Sequence, residues 1–309
     1  MIPMVDLDAA ILAIRDSRVA ELEEHLIPLL EPSIRIGVMS VRGDSLPIGA
    51  SRFGGLPDVP DNFAWPIFAD RPMALIAQLN LAELAPFHEG SLLPRIGSLL
   101  FFFDAANDAP FEDTEDESRC WKVMHLENDS AELSRREPPA PRNAHNDFPP
   151  FALGFRSELT LPSFGSTLLD DMPIDETRRA DYEELMFHLV GKPPLPAREA
   201  ATRIERGLGR IRHWLIGDPV HRVLGHPEHF QLDPRVDWQR LDEHRPIVTA
   251  PDEYTERAAL DWLLLLQADS FKDGPRWIMG DNATFYFGIR RDDLEARNFD
   301  AVQWTIECG

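Results

Sequence analysis

The sequence has only two cysteines among its 309 residues, Cys120 and Cys308, and they form no CxxC or other metal-ligand spacing. Neither a disulfide framework nor a zinc site is therefore expected. The same shortage is typical of proteins from a reducing cytoplasm, and we predict a cytoplasmic location.

Long apolar runs and targeting segments are also missing. The N-terminus, MIPMVDLDAA, lacks a basic stretch followed by an apolar core, and apolar runs such as 262–266 are far shorter than the roughly 18 to 20 residues of a membrane span. We therefore predict no membrane segment and no export signal.

Basic side chains are few, because 31 Lys and Arg stand against 53 Asp and Glu and the net charge is −22. Nucleic-acid binding depends on Lys and Arg displacing counterions from phosphates, so we predict no nucleic-acid partner. An acidic chain favours neutral or basic partners.

Known catalytic signatures are absent from the sequence. It contains no G-x-S-x-G elbow, the G-L-G at 207–209 lacks the third glycine of a dinucleotide loop, and Gly191-Lys192 has Met186 where a P-loop needs glycine. We predict no cofactor, and no signature identifies an enzyme.

Three histidines, His221, His226 and His229, lie close together beside Glu228. Imidazoles at this density are potential ligands of a transition metal. Their spacing is not H-E-x-x-H, and Pro227 prevents a shared helical face. We interpret them as surface histidines on a loop and predict no metal site.

Apolar spacing predicts the order of elements. Residues 5–30 carry apolar side chains at helical spacing among charges, and residues 34–38 alternate as in a strand. The segments 74–81, 97–103 and 120–126 predict further strands, and we expect the strands to pair in one sheet.

The C-terminal third repeats landmarks of the N-terminal part in the same order. RFGGLP matches RVLGHP, ALIAQLN matches LLLLQAD, and GSLLFFF matches NATFYFG, so that Gln78 aligns with Gln267. An ancient duplication explains this order. The alternative is that apolar strands and Gly-Pro turns resemble one another in unrelated segments.

The repeated turns have glycines where a special conformation is expected. Gly55 and Gly225 can adopt positive φ or permit close approach of another chain segment, and a proline two residues later fixes the exit direction. Gln78 and Gln267 lie in apolar strands, so each either ties down the backbone of a turn or points into a ligand cleft.

The loop FGGLPDVPDNFAWP, residues 53–66, is both stiff and apolar. Its three prolines exclude a helix interior, and its aromatic side chains argue against a solvated linker. We predict an ordered, packed loop with Trp65 substantially buried and with Gly55 in a place that excludes a Cβ atom.

The motifs together resemble the YwqG-like bacterial proteins, a family of unknown function. The resemblance extends from about Arg52 to the C-terminus and rests on GGLPDVPDNFAWP, LIAQLNLAEL, GSLLFFFD, HRVLGHP, LLLLQADS and GDNATFYFGIRRDDLEARNF. The sequence departs from the family pattern at Met279, Ala283 and His226. The resemblance implies an α+β fold with largely antiparallel sheets, and it supplies no catalytic residues.

We predict a duplicated α+β protein with flanking helices, organised as 1–45 (helical segment and first strand), 46–215 (first half with a variable insert) and 216–309 (second half) in one compact unit. The predicted ligand or partner surface comprises the two turns, their glutamines and nearby side chains: Arg52, Gly54, Gly55, Trp65, Gln78, Arg222, Gly225, Gln267, Asp269 and Asp281.

The predicted function is a binding or interaction module for an unknown protein or small molecule. One alternative is an immunity-type protein that neutralises a basic toxin, because the net charge of −22 gives electrostatic complementarity. The other is a hydrolase that uses Asp269, Asp281 and one of the histidines.

Overall fold

The structure, a computed structural model, describes residues 6–42, 46–88, 90, 92–104, 119–127, 132–140, 148–175, 177–191, 219–229, 231–245, 251–270 and 283–307. In these residues the α-helices are α1 Leu7–Arg15, α2 Glu23–Leu26, α3 Leu81–Leu84, α4 Arg179–Leu189, α5 Pro234–Asp242, α6 Glu253–Ala259 and α7 Arg291–Glu295. The strands are β1 Glu31–Arg42, β2 Arg52–Phe53, β3 Asp58–Val59, β4 Ile67–Phe68, β5 Arg71–Pro72, β6 Ala74–Asn80, β7 Ser98–Phe103, β8 Trp121–Leu126, β9 Ser134–Arg135, β10 Phe151–Thr160, β11 His221–Val223, β12 Trp262–Asp269, β13 Thr284–Arg290 and β14 Gln303–Glu307.

The fold is α+β with antiparallel sheets and a helical N-terminal segment, as predicted. One large sheet has the strand order β14-β13-β12-β11-β1-β10-β2-β6-β7-β8, and it includes strands from all three predicted segments of the chain. Two small sheets, β3-β9 and β4-β5, lie outside it. The helical N-terminus is held by the Asp6 carboxylate, which caps α1 by accepting a hydrogen bond from the Ala9 N–H at 2.9 Å.

The long strands β1 and β10 form the centre of the large sheet. They pair from Glu31 opposite Thr160 to Arg42 opposite Phe151, with Gly37 opposite Gly154. On one side of this pair lies the arm β11-β12-β13-β14, and on the other side lies the arm β2-β6-β7-β8. The two arms therefore repeat the same order of strands outward from the centre.

The sheet curls until the inner faces of its two arms meet in the main core. Phe101 on β7 contacts Phe287 on β13, with ring centroids 5.1 Å apart, and Phe103 contacts Phe285 at 4.8 Å. The Trp121 Nε1–H donates to the carbonyl of Val302, next to β14, so side chains bridge the two edge strands where the sheet nearly closes.

Different elements cover the outer faces of the two arms. On the first arm, the loop side chains Phe63 and Trp65 pack on Phe102 of β7. On the second arm α5 lies across β12, β13 and β14, with Trp238 directly over Gly288. No helix in the described part of the chain is long and apolar enough to cross a bilayer.

The contact between Trp238 and Gly288 predicts that adding one methyl group at Gly288 lowers the stability of the protein. A Cβ atom at Gly288 would lie 2.1 Å from the Trp238 ring, whereas at Gly37 its nearest neighbour would be the Gly154 carbonyl oxygen at 3.9 Å. Gly288→Ala should lower the free energy of unfolding by about 1–3 kcal/mol through overpacking, and Gly37→Ala should change it by less than about 1 kcal/mol. Urea unfolding measures both, and equal effects of the two variants would contradict the packing described for α5.

The first turn of α5 also predicts a pH dependence. Burial raises the pKa of the Asp237 carboxyl to about 6, although the Arg240 guanidinium at 3.4 Å favours its charged form. Between about pH 4 and pH 6 the folded protein then binds more protons at this group than the unfolded chain, so its contribution to stability falls as pH rises.

Asp237→Asn should therefore be more stable than the wild type at about pH 7, by about 1–3 kcal/mol, and should have no advantage below about pH 4. The measurement is urea unfolding of both proteins across this pH range. A stability difference that does not change with pH would show that Asp237 is not desolvated in the folded protein.

Candidate functional site

The two repeated turns have the same backbone conformation. Gly54 and Gly55 have φ of 60° and 71°, and Leu224 and Gly225 have φ of 60° and 71°. Two consecutive residues in the left-handed region are unfavourable for side chains with a Cβ atom, which explains the glycines but leaves Leu224 as a strained position.

Each turn packs its second glycine on a central strand or the residue beside it. A Cβ atom at Gly55 would lie 2.7 Å from the Cβ of Pro150, and one at Gly225 would lie 2.6 Å from the Cβ of Ser33. At Gly54 it would lie 2.5 Å from the carbonyl oxygen of Pro149. The prediction that Gly55 occupies a place that excludes a Cβ atom is confirmed.

The two glutamines hold these turns in place. Gln78 lies opposite Arg52 and Gln267 lies opposite Arg222 in the sheet register. Gln78 Oε1 accepts from the Asp58 N–H at 2.8 Å, and Gln267 Oε1 accepts from the N–H of Glu228 at 2.9 Å. Both acceptors bind the residue that follows the turn proline, so the glutamines tie down turn backbone, the first of the two predicted roles.

The two arginines are buried beside the glutamines. Arg52 contacts the Asp58 carboxylate, which also accepts from Arg135 Nε at 3.0 Å, and burial together with Arg135 lowers the pKa of Arg52 to about 9. Arg222 donates to the carbonyl of His226 at 2.8 Å. These arginines stabilise the two turns from within the protein.

The carboxylate of Asp269, predicted as an acid–base group, is hydrogen-bonded within the protein. Its Oδ1 accepts from the Thr284 hydroxyl at 2.8 Å and its Oδ2 accepts from the Val220 N–H at 3.2 Å. Its own N–H donates to His221 Nδ1 at 3.0 Å. Asp281, predicted to act with it, lies outside the described residues.

The prediction that the histidines lie at the surface is wrong. His221 and His226 are both only 1% exposed. His226 Nε2 donates to the carbonyl of Leu29 at 2.8 Å, and its Nδ1 therefore accepts from the Arg235 guanidinium at 2.8 Å. Burial, reinforced by Arg235, lowers the pKa of His226 to about 3, so the ring is neutral. In the described residues no three His, Cys, Asp or Glu side chains form a metal-binding group.

The proline-rich loop packs on the sheet through Trp65, but this side chain is half-buried rather than substantially buried. Its Nε1–H donates to the carbonyl of Met73 at 3.0 Å, and its ring meets Phe102 edge-on at 5.8 Å. The loop residues on either side of Trp65, Ala64 and Pro66, lie at the rim of a groove.

This groove, which we call the seam groove, has a volume of about 590 Å³ and lies where the two edge strands approach each other. Nine of its twelve lining residues are apolar, and they come from the loop and the short strands after it, from β8 and the residues before it, and from the segment before β14: Ala64, Pro66, Ile67, Met73, Arg119, Trp121, Lys122, Val123, Met124, Phe299, Asp300 and Val302. Successive side chains of a strand point to opposite faces. Because the consecutive residues 121–124 all line the groove, the groove follows the edge of β8 and not one of its faces.

One of the two cations at the seam groove is neutralised by a carboxylate, and the other is hydrogen-bonded to main-chain carbonyls. Lys122 Nζ lies 2.6 Å from the Asp300 carboxylate, and Arg119 donates to the carbonyls of Asp300 and Val302, both at 3.2 Å. The Arg119 guanidinium also lies 5.5 Å from the centre of the Trp121 ring. The groove therefore offers apolar contacts along its walls, and the charged side chains at its rim have a small net charge.

The outer edge of β8 carries main-chain groups that do not pair with β7. The Asp104 N–H donates to the carbonyl of Cys120 at 2.8 Å, and in an antiparallel pair the groups of successive residues alternate between the two edges of the strand. The N–H and C=O of Trp121 and Val123 consequently point away from β7. Within the described residues β8 has no strand partner on that edge.

Compared with known protein families, residues 51–308 match DUF1963, a domain of unknown function. The chain belongs to this family. The matched residues of the DUF1963 domain include both turns, both glutamines and the described lining of the seam groove. A search of curated proteins finds no match to the chain.

The predicted surface of the DUF1963 domain separates into parts with different environments. Its arginines, glycines and glutamines lie in two buried turn networks, one in each arm. Trp65 is not among the residues that line the seam groove, whereas its sequence neighbours Ala64 and Pro66 are. Sequence reasoning missed Arg119, Lys122 and Asp300, and the apolar FAWPI segment was the one signal that pointed to this groove.

The turn networks predict matched effects of two substitutions. Gln78→Leu leaves the buried N–H of Asp58 without its acceptor, and Gln267→Leu does the same to the partly buried N–H of Glu228. Each variant should lose about 1–3 kcal/mol of unfolding free energy. Urea unfolding of both variants is the measurement, and a fully stable Gln267→Leu variant would contradict the role in holding the turn.

Proposed function

We propose that this DUF1963 protein is an interaction module that binds an extended segment of a partner protein along the edge of β8 that has no strand partner among the described residues. The observation that supports it is the seam groove, which lies beside main-chain groups of Trp121 and Val123 that point away from β7. An edge strand with free N–H and C=O groups can pair with an added strand, and the groove beside it supplies side-chain contacts.

The walls of the seam groove suit the side chains of such a segment. Side chains of an added strand point alternately to its two faces. Met124 packs in the cluster on the outer face of the first arm and Phe299 packs in the main core, so apolar side chains lie on both sides of the β8 edge. Ile67 also lines the groove. Ile67 is half exposed, which leaves its apolar surface available for contact. Main-chain pairing would provide affinity, and these apolar walls would select the side chains.

The charges define the partner segment further. Lys122 is paired with Asp300 at the rim, so the groove does not require an acidic ligand. The net charge of −22 repels acidic partners at long range. We therefore propose a segment with alternating apolar side chains and neutral or basic flanks.

The repeated arrangement of the two arms supports an ancient duplication. Arg52 and Gln78 of the first arm correspond in register, turn conformation and hydrogen bonding to Arg222 and Gln267 of the second. The arms differ in their covers, because on the second arm α5 packs against β14 and the Glu307 carboxylate accepts from the N–H groups of Gln231 and Leu232. The proposal assigns binding to the first arm, because the strand that lines the seam groove is β8.

The sequence motifs support the narrower assignment to the YwqG-like bacterial proteins, and the scarcity of cysteine supports a cytoplasmic location; both stay predictions. The immunity-type alternative is based on the net charge alone. The hydrolase alternative loses support at Asp269, whose two carboxylate oxygens accept hydrogen bonds from Thr284 and Val220.

The proposal is tested with linear peptides selected from a random library against the full chain. Binding is then measured by fluorescence anisotropy for the wild type and for Ile67→Glu, which places a charge in the groove wall. We expect a loss of about tenfold or more in affinity, because apolar anchors dominate such interfaces. N-methylation of alternate peptide amides should weaken binding as well, since it removes donors to the strand edge.

The control is Leu12→Glu, because Leu12 on α1 is an exposed apolar side chain like Ile67 but lies outside the groove. It should leave affinity unchanged. Selected peptides that bind Ile67→Glu as well as wild type, or that tolerate N-methylation at every position, would refute binding along β8.

A further inference from the structure

A row of three arginines crosses the outer face of the sheet at its centre. Arg156 on β10 lies opposite Arg35 on β1, and Arg35 lies opposite Arg222 on β11. Directly opposed residues on neighbouring strands project from the same face and are close together, so three like charges are neighbours here.

Two carboxylates accompany these three cations. Glu158 Oε1 lies 3.3 Å from Arg222 Nε, and Glu158 Oε2 lies 4.0 Å from Arg156. Glu228 lies 3.4 Å from Arg222. Arg35 has no carboxylate within ion-pair distance among the described residues.

Arg35 is nevertheless more than nine-tenths buried, with 9% of its surface exposed. One of its terminal nitrogens donates to the carbonyl of Pro219 at 3.1 Å, and the other, Nη1, has no hydrogen-bond partner among the described residues. Burial and the adjacent Arg222 lower the pKa of Arg35. A buried guanidinium with an unused donor is costly unless a negative group completes its surroundings.

The fold itself does not require an arginine at this position. Arg35 lies opposite Arg222 in one half of the sheet, and the corresponding residue opposite Arg52 in the other half is Ala152. With Ala152 in place of an arginine, the first arm forms the strand and the turn that correspond to β11 and its turn in the second arm.

Lightly covered backbone lies beside the Arg35 guanidinium. Gly37 and Gly154 form the next pair on the same face. A Cβ atom at Gly37 would have no neighbour closer than 3.9 Å, and one at Gly154 would lie 3.6 Å from the Met39 sulfur. Arg156 at the border of this patch has 57% of its side chain exposed. A small ligand can therefore approach Arg35 over the two glycines.

We infer that this place binds a small oxyanion, a carboxylate or a phosphate, between Arg35 and Arg156 above Gly37 and Gly154. The planar guanidinium donates two parallel hydrogen bonds to such groups. The overall negative charge of the protein does not prevent this, because distant charges are screened over about 8 Å at physiological salt. The site does not depend on the seam groove.

The test is calorimetric titration of the full chain with sodium phosphate and, separately, with sodium acetate, at an ionic strength kept constant with sodium chloride. Saturable binding of phosphate alone identifies a phosphate site, and saturable binding of acetate identifies a carboxylate site. Arg35→Met, which keeps the aliphatic stem, should lower the affinity for the anion by about tenfold or more. Arg156→Met, at the more exposed arginine, should do the same.

Glu158→Gln should change the anion affinity in the opposite direction. It removes a competing negative charge beside the same arginines, so it should tighten anion binding. The control is Arg257→Met, an exposed arginine that is paired with Glu253 far along the chain and should have no effect. Absence of saturable binding of both anions, or binding that is equal in wild type, Arg35→Met and Arg156→Met, overturns the inference.

Discussion

The close packing of two left-handed turns against the central strands β1 and β10 is the constraint on which the rest of the structure depends. Gly55 reaches Pro150 and Gly225 reaches Ser33 at distances that leave no room for a Cβ atom. Because each turn also ends in a proline and is bonded to a buried glutamine, it fixes where the next strand of its arm begins. The two arms then curl toward each other and enclose the phenylalanine core.

Much of this architecture is readable in the sequence because it comes from local patterns. The apolar runs that became β6, β7, β12 and β13 are buried on both faces, and such strands need no polar alternation. The paired glutamines were informative for a physical reason, since an amide within an apolar strand must find partners. Each glutamine lies opposite the arginine that begins its turn motif, Gln78 opposite Arg52 and Gln267 opposite Arg222.

Other parts could not be predicted because their environments come from distant segments. β10 carries Arg156 and Glu158 on its outer face, so its polarity hid a central strand. His226 is buried by a carbonyl at Leu29 and a guanidinium at Arg235, neither of which is marked by local spacing. The seam groove unites residues near 65, 121 and 300, which meet only when the sheet curls. Arg52, Gln78, Arg222 and Gln267, predicted as part of a ligand surface, are buried.

The binding of an extended segment to β8 is the central claim, and hydrogen exchange of single backbone amides tests it most directly. In the free protein the amides of Trp121 and Val123 should exchange faster than those of Lys122 and Met124, which pair with β7. Addition of a selected peptide should protect Trp121 and Val123 and leave the other two unchanged. A bound peptide that leaves the amides of Trp121 and Val123 unprotected would contradict the claim.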